Sequence, residues 1–245
     1  DNDIIKMSNY LLYNFTDDPV DLYRRLRLNI DLCDEKEALG VDIYSFPMKY
    51  HPIMDEKWFS NRDYIGPRWT RKAIRTVQVV LNSTHGKIGR GRTFFFKAFG
   101  RNEDEFCELI RMPEAFIVKR WDAEIAGLTD KWRKAYSQLT DQERSGVDSI
   151  IDSNAFENTD FSGFTPNVCE VLKFYQIKKR DIPVASTEEK LHRIKLFEKS
   201  CPSTISAECR ALLKDAGQKQ VNNEHRTQKY KTGHRAVCEE GVASD

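Results

Sequence analysis

SNYLLYNFTDDPVDLYRRLRLNIDLC, residues Ser8–Cys33, decides the fold class. Its left half, Tyr10–Phe15, is apolar and aromatic without clear alternation, which suits a strand buried on both faces of a parallel sheet. The acidic turn Thr16–Pro19 follows. Asp18 is suited to cap a helix with Pro19 at its first position and Asp21 in its first turn. Leu22, Leu26, Ile30 and Cys33 then recur at helical spacing and make one sheet-facing stripe. The helix is expected to stop near Gly40. Val41–Phe46 reads as a second strand that ends at Pro47. Strand, helix and strand in this order make a βαβ unit with parallel strands.

The chain has 245 residues, of which 40% are hydrophobic and 31% charged, a balance that supports a sizeable core under a wet surface. The net charge of +1 gives no global pull toward nucleic acid or a membrane surface. No apolar run approaches the ~20 residues of a membrane span, and no secretion signal is legible, so the expectation is a cytoplasmic protein without a membrane partner. The six cysteines, Cys33, Cys107, Cys169, Cys201, Cys209 and Cys238, include no C-x-x-C pair. They read as reduced, mostly buried thiols. His51, His85, His192, His225 and His234 are scattered without metal-ligand spacing, so no metal site is expected. No G-x-S-x-G elbow is present, and a hydrolase reading has no support.

Beyond Pro52 the pattern becomes helical. Asp55–Pro67 reads as a charged, aromatic loop and Arg68–Asn82 as a helix. Ser83–Arg92, STHGKIGRGR, is a glycine-rich basic loop, and Thr93–Phe99 is short and strongly aromatic. Helices are expected over Asn102–Met112, Ile125–Leu139, Thr140–Ile151, Val168–Ile177, Thr187–Ser200 and Ser203–Ala216. Thr140-x-x-Glu143 forms a capping box for the third of these. Ser153–Asn167 reads as a loop, and the polar residues 218–245 as a disordered tail. The organisation is therefore a βαβ portion over residues 1–54, a mainly helical extension over 55–217, and the tail.

Several stretches together are similar to a known family. Met7–Cys33, followed by VDIYSFPMKYHPI (Val41–Ile53), resembles the late part of the barrel in radical S-adenosylmethionine (SAM) enzymes. Asn61–Gly100 and MPEAFIV (Met112–Val118) resemble the C-terminal extension of one group in that superfamily. The resemblance covers about Ile5 to Val118, with no single short motif diagnostic. It implies α/β architecture: a remnant of a partial (β/α)6 TIM-like barrel, then a mainly helical extension. In that family a C-x-x-x-C-x-x-C loop holds a [4Fe–4S] cluster, whose open iron binds SAM. Reductive cleavage of SAM then gives a 5′-deoxyadenosyl radical that abstracts hydrogen from a substrate.

This sequence departs from the family where the chemistry is strongest. The cluster motif is absent, and three closely spaced thiolates are what such a cluster needs. The chain alone is thus expected to bind neither the cluster nor SAM, and to act as an enzyme only when joined to a missing N-terminal barrel portion or a cluster-bearing subunit. YLLYNFTDD takes the place of the family's glycine-rich fifth strand without its glycines, with Asp17 near the acidic position. By resemblance, Asn14, Asp17, Phe46, Pro47 and Met48 would face SAM, and Lys49 and Tyr50 the substrate. The bland alternative has Pro47 only ending the strand and Tyr50 packing on the extension. Catalytic residues are not identified.

Two other readings stand beside this one. Gly86–Arg92, the basic helix faces RRLRLN and RWTRKAIR, and Phe94, Phe95, Phe96 and Phe99 could form a nucleic-acid-binding module. The same features fit a solvated turn, solvated helix faces and ordinary core aromatics. An inert fragment is the third reading.

Overall fold

The computed structural model of the protein describes residues 5–36, 40–59, 62–89, 91–154 and 160–202. The expected helix Ser203–Ala216 and tail 218–245 lie outside the described residues, as do Cys209, Cys238, His225 and His234. The described residues belong to one compact unit, of mixed α/β class.

Ile5–Tyr13 forms strand β1, Pro19–Lys36 helix α1 and Val41–Lys49 strand β2. The strands pair in parallel, from Ile5 opposite Val41 to Tyr13 opposite Lys49, in a sheet of two strands among the described residues. The predicted βαβ unit is present, and α1 begins where the sequence placed it. Asp18 Oδ1 accepts from the Asp21 amide at 2.9 Å, Asp21 Oδ2 accepts from the Asp18 amide at 3.2 Å, and Pro19 needs no donor. Leu22, Leu26, Ile30 and Cys33 are all buried on one stripe. Cys33 also serves the second strand, since its Sγ accepts from the Ile43 amide at 3.4 Å.

Two strand expectations are corrected. β2 does not end at Pro47 but runs through it to Lys49. In a parallel ladder successive residues point their amides to opposite sides. Tyr50 N bonds Tyr13 O at 2.7 Å, so even-numbered residues of β2 face β1, while Ser45 N bonds Ile88 O at 2.8 Å on the other side. Pro47 shares the outward phase of Ser45, and its missing N–H costs no bond to β1. β1, in turn, is not buried on both faces. Tyr13 is buried, but Tyr10 is 68% exposed and Leu12 51%. The reason is coverage: α1 packs on one face only. Asn9 and Ser45, opposite each other in register, both bond Asn29 of α1, whereas Tyr10 and Phe46 stack at 5.5 Å on the other face.

The extension is mainly helical among the described residues, and side-chain caps start half of its ten α-helices. It comprises α2 (Glu56–Phe59), α3 (Arg71–Ser83), α4 (Arg92–Phe99), α5 (Glu103–Arg111), α6 (Glu114–Val118), α7 (Arg120–Ile125), α8 (Leu128–Ser137), α9 (Asp141–Ser153), α10 (Pro166–Gln176) and α11 (Thr187–Ser200). Asn102, Thr140, Thr165 and Ser186 cap α5, α9, α10 and α11, and Thr140 with Glu143 forms the predicted capping box. α3 starts later than expected because Thr70 is its cap, leaving Arg68 and Trp69 for other contacts. The helix expected over Ile125–Leu139 is split by Gly127, whose φ of 68° leaves the helical region. The aromatic run Thr93–Phe99 lies within α4 and supplies core. Phe95, Phe96 and Phe99 are fully buried, and Phe106 stacks on Tyr23 of α1 at 5.2 Å. Each buried phenyl contributes about 1.5–3 kcal/mol, so this cluster fuses the βαβ unit to the extension.

Candidate functional site

Both strands end on the same edge, as a parallel pair requires, and the seven residues expected at the site gather there. Most are occupied by the extension. Asn14 is fully buried with φ 69°, a left-handed conformation that Asn tolerates. Its Oδ1 accepts from Gly66 N at 2.7 Å, and its Nδ2 donates to Tyr64 O at 3.0 Å and Tyr50 O at 3.3 Å. One amide thus ties the ends of both strands to the incoming loop. A Cβ on Gly66 would lie 2.8 Å from Phe15 O, so the loop passes there only because that residue is glycine.

Asp17 is engaged in the same way. Its Oδ1 accepts from Phe15 N at 2.9 Å and from Trp69 Nε1 at 3.2 Å, and its Oδ2 pairs with the Arg25 guanidinium. Arg68 reaches the Thr16 carbonyl and Asp18 from the other side. The acidic turn is therefore a socket for Arg68 and Trp69, and Trp69 packs on Tyr13 at 5.3 Å. Sequence reading placed both residues in a helix and missed this role. The available signal was Pro67 together with Thr70, a break followed by a cap.

Lys49 donates from Nζ to Arg62 O at 3.1 Å, and burial lowers its pKa below that of a free lysine, with nearby Asp63 opposing. Tyr50 packs between Phe15 at 4.5 Å and Tyr64 at 5.8 Å, so the packing alternative for Tyr50 is the arrangement observed. Phe46 and Met48 differ from these. Their backbone groups face the β1 ladder, but their side chains lie with Tyr10 and Leu12 on the sheet face that α1 does not cover. Met48 is 49% exposed. Asn14, Asp17, Lys49 and Tyr50 are thus fastened to protein, whereas Phe46 packs on Tyr10 and Met48 stays half exposed on the face that α1 leaves open.

The glycine-rich loop also finds a structural use. Ile88 forms a two-way antiparallel bridge with Ser45, and Gly89 sits under the Tyr44 ring, which Lys87 caps at 3.6 Å. Arg92 is paired with Asp31 and Asp34 of α1. Lys87 is exposed and lies on the Tyr44 ring, whereas Arg92 is largely covered; Phe95, Phe96 and Phe99 are too buried to stack bases, and Phe94 is 50% exposed.

Among the described residues no group of His, Cys, Asp or Glu has the proximity a metal ion needs, and no helix is long and apolar enough to cross a membrane. Cys33, Cys107, Cys169 and Cys201 are thiols rather than disulfides. Comparison with known proteins found no match: no protein-family model, no curated protein and no solved structure.

Proposed function

We propose that this chain is the C-terminal portion of a radical SAM-type barrel, completed when a cluster-bearing portion adds its strands to the outer edge of β1. The observation that carries this reading is the asymmetry of the sheet. β2's outer edge is bridged by Ile88, whereas β1's outer edge pairs with no described residue and is flanked by exposed Ile5, Met7, Tyr10 and Leu12. In a partial parallel barrel every strand but the first and the last has a neighbour on each side, helices cover the outside, and the inner face fills with side chains. Tyr10, Leu12, Phe46 and Met48 have the placement of inner-face residues, since they lie opposite α1. In the completed barrel Phe46 and Met48 would line the SAM side, while Asn14, Asp17, Lys49 and Tyr50 would keep the strand ends rigid. Cluster and SAM chemistry would come from the partner portion.

The test is to look in the DNA immediately upstream for a reading frame that carries C-x-x-x-C-x-x-C, and to co-express its product with this chain anaerobically, followed by co-purification. An equimolar complex is expected, with its iron bound to the partner, and Tyr10→Pro is expected to abolish it while the chain still folds. Tyr10 is suitable because its N–H points away from β2, as Pro47's would point away from β1. Self-association through β1 in place of that complex, or a complex indifferent to Tyr10→Pro, would overturn the proposal.

A further inference from the structure

A second feature lies in the extension, away from the sheet. A cavity of about 270 Å³ opens between α5, α7, α8 and α11. This is just under the ~300 Å³ at which sites for drug-sized ligands begin, so its occupant is small. The wall is ionic. Arg133 is held by Glu108 at 2.7 Å, and Arg101 pairs with Glu105 and donates to Ser200 Oγ at 3.0 Å. The floor is Glu124, which receives Lys97 at 2.6 Å. Lys97 is itself packed on the Trp121 ring at 3.5 Å, and burial brings its pKa down to about 8.

Arg120 and Arg193 are the groups this network does not satisfy. Both line the cavity. Arg120 reaches Glu124 only through Nε, at 3.3 Å, long for a charge-assisted bond, and its two terminal nitrogens bond no described residue. Its side chain is 15% exposed, so this is a largely desolvated cation with unused donors. Burial lowers its pKa more than Glu124 restores it. Arg193 approaches Glu124 no closer than 3.9 Å and makes no hydrogen bond within the described residues. Cations outnumber carboxylates around the space, and Glu124 is already neutralised by Lys97. Leu196 and Phe197 add an apolar strip on the α11 side.

We infer that this cavity is a binding site for a small phosphomonoester: the phosphate bridges Arg120 and Arg193, and the organic part lies on Leu196 and Phe197. Two guanidinium forks with free donors match phosphate geometry, and a dianion supplies the charge that the site lacks. This inference is independent of the barrel reading.

The test is calorimetric titration of the full chain with ribose 5-phosphate, with inorganic phosphate and ribose as separate arms. Ribose 5-phosphate is expected to bind, inorganic phosphate at least tenfold more weakly, and ribose not at all. Arg193→Gln, at the half-exposed rim, is expected to weaken binding at least tenfold with an unchanged melting temperature. Arg120→Lys, which keeps the charge but loses the fork, is expected to do the same. No binding of either phosphate at millimolar concentration, or binding that neither substitution changes, would overturn the inference and leave the cluster as an ion-pair rivet for α11.

Discussion

The two edges of the small sheet are built from the same parallel pair and meet different fates. Along β2 the extension returns and covers the edge: Ile88 exchanges two hydrogen bonds with Ser45, Pro47 offers no donor, and Gly89 and Lys87 pack against the Tyr44 ring. Along β1 the outward-pointing residues are Lys6, Ser8, Tyr10 and Leu12. Among the described residues only the last is capped, its carbonyl accepting from Arg25 at 2.7 Å. Proteins blunt true edges with charges, proline, bulges or covering elements. β2 shows proline and cover, whereas β1 has one lysine and an exposed apolar face. The difference teaches that strand number alone does not define an edge: the extension covers one side, and the other lies open among the described residues.

The sharpest way to break the comparison is to loosen the element that finishes β2. The Ile88 hook hangs from the C-terminal end of α3, and α3 buries Lys72, which donates to Thr76 Oγ1 at 2.9 Å and Met112 O at 2.7 Å. Burial pushes the Lys72 pKa down to about 7, with Glu114 opposing and Arg75 reinforcing the shift. A folded pKa below the unfolded value means that the unfolded chain binds more protons between the two. Stability is therefore expected to rise with pH from about 7 toward the free-lysine range, and the charge penalty to be fully present below pH 7. Lys97 acts in the same direction from about 8. Denaturant midpoints measured from pH 6.5 to 9 should show the rise, and Lys72→Met should reduce its slope. An unchanged slope in the variant would contradict this origin.

Asn14→Ala comes next. It strips two carbonyls and an amide of their buried partner and puts alanine at a positive φ, for about 3 kcal/mol lost in chemical denaturation. If Asn14 were held for a cofactor rather than for the fold, the loss would be small. Asp18→Ala removes only the α1 cap and should cost about 1 kcal/mol by the same measurement. Tyr10→Ser, on the open face, should change stability by no more than about 0.5 kcal/mol, because in the chain alone that ring is mostly solvated. A large loss there would mean that the face is already covered.

The parts legible in the sequence were those fixed by local chemistry. Asp18–Pro19 starts α1, the stripe Leu22–Leu26–Ile30–Cys33 faces the sheet, and Asn102 and Thr140 begin their helices because capping depends on a few neighbouring atoms. The missed parts depended on distant residues. Pro47 looked terminal because the side to which its amide would point is set by pairing, not by its neighbours. Asn14 and Asp17 looked like ligand-facing residues because the partners that consume them, Tyr64, Gly66 and Trp69, lie some fifty positions on. The mixed pattern Tyr10–Phe15 read as doubly buried because apolar content reports what a strand can bury, not whether a partner is present. Arg120 and Arg193 carried no sequence signal, being two arginines among many until four helices bring them around one space.

Residue-resolved hydrogen exchange along β1, in the chain alone and after addition of the proposed cluster-bearing portion, tests the proposed joint most directly. In the chain alone the amides of Met7, Asn9 and Leu11, which face β2, should be protected, and those of Lys6, Ser8 and Tyr10 should exchange freely. On completion of the barrel the second set should become protected while the first stays as it was. Lys6, Ser8 and Tyr10 amides that remain unprotected in the complex, or that are already protected in the chain alone, would contradict the assignment of β1's outer edge as the place where the remaining strands join.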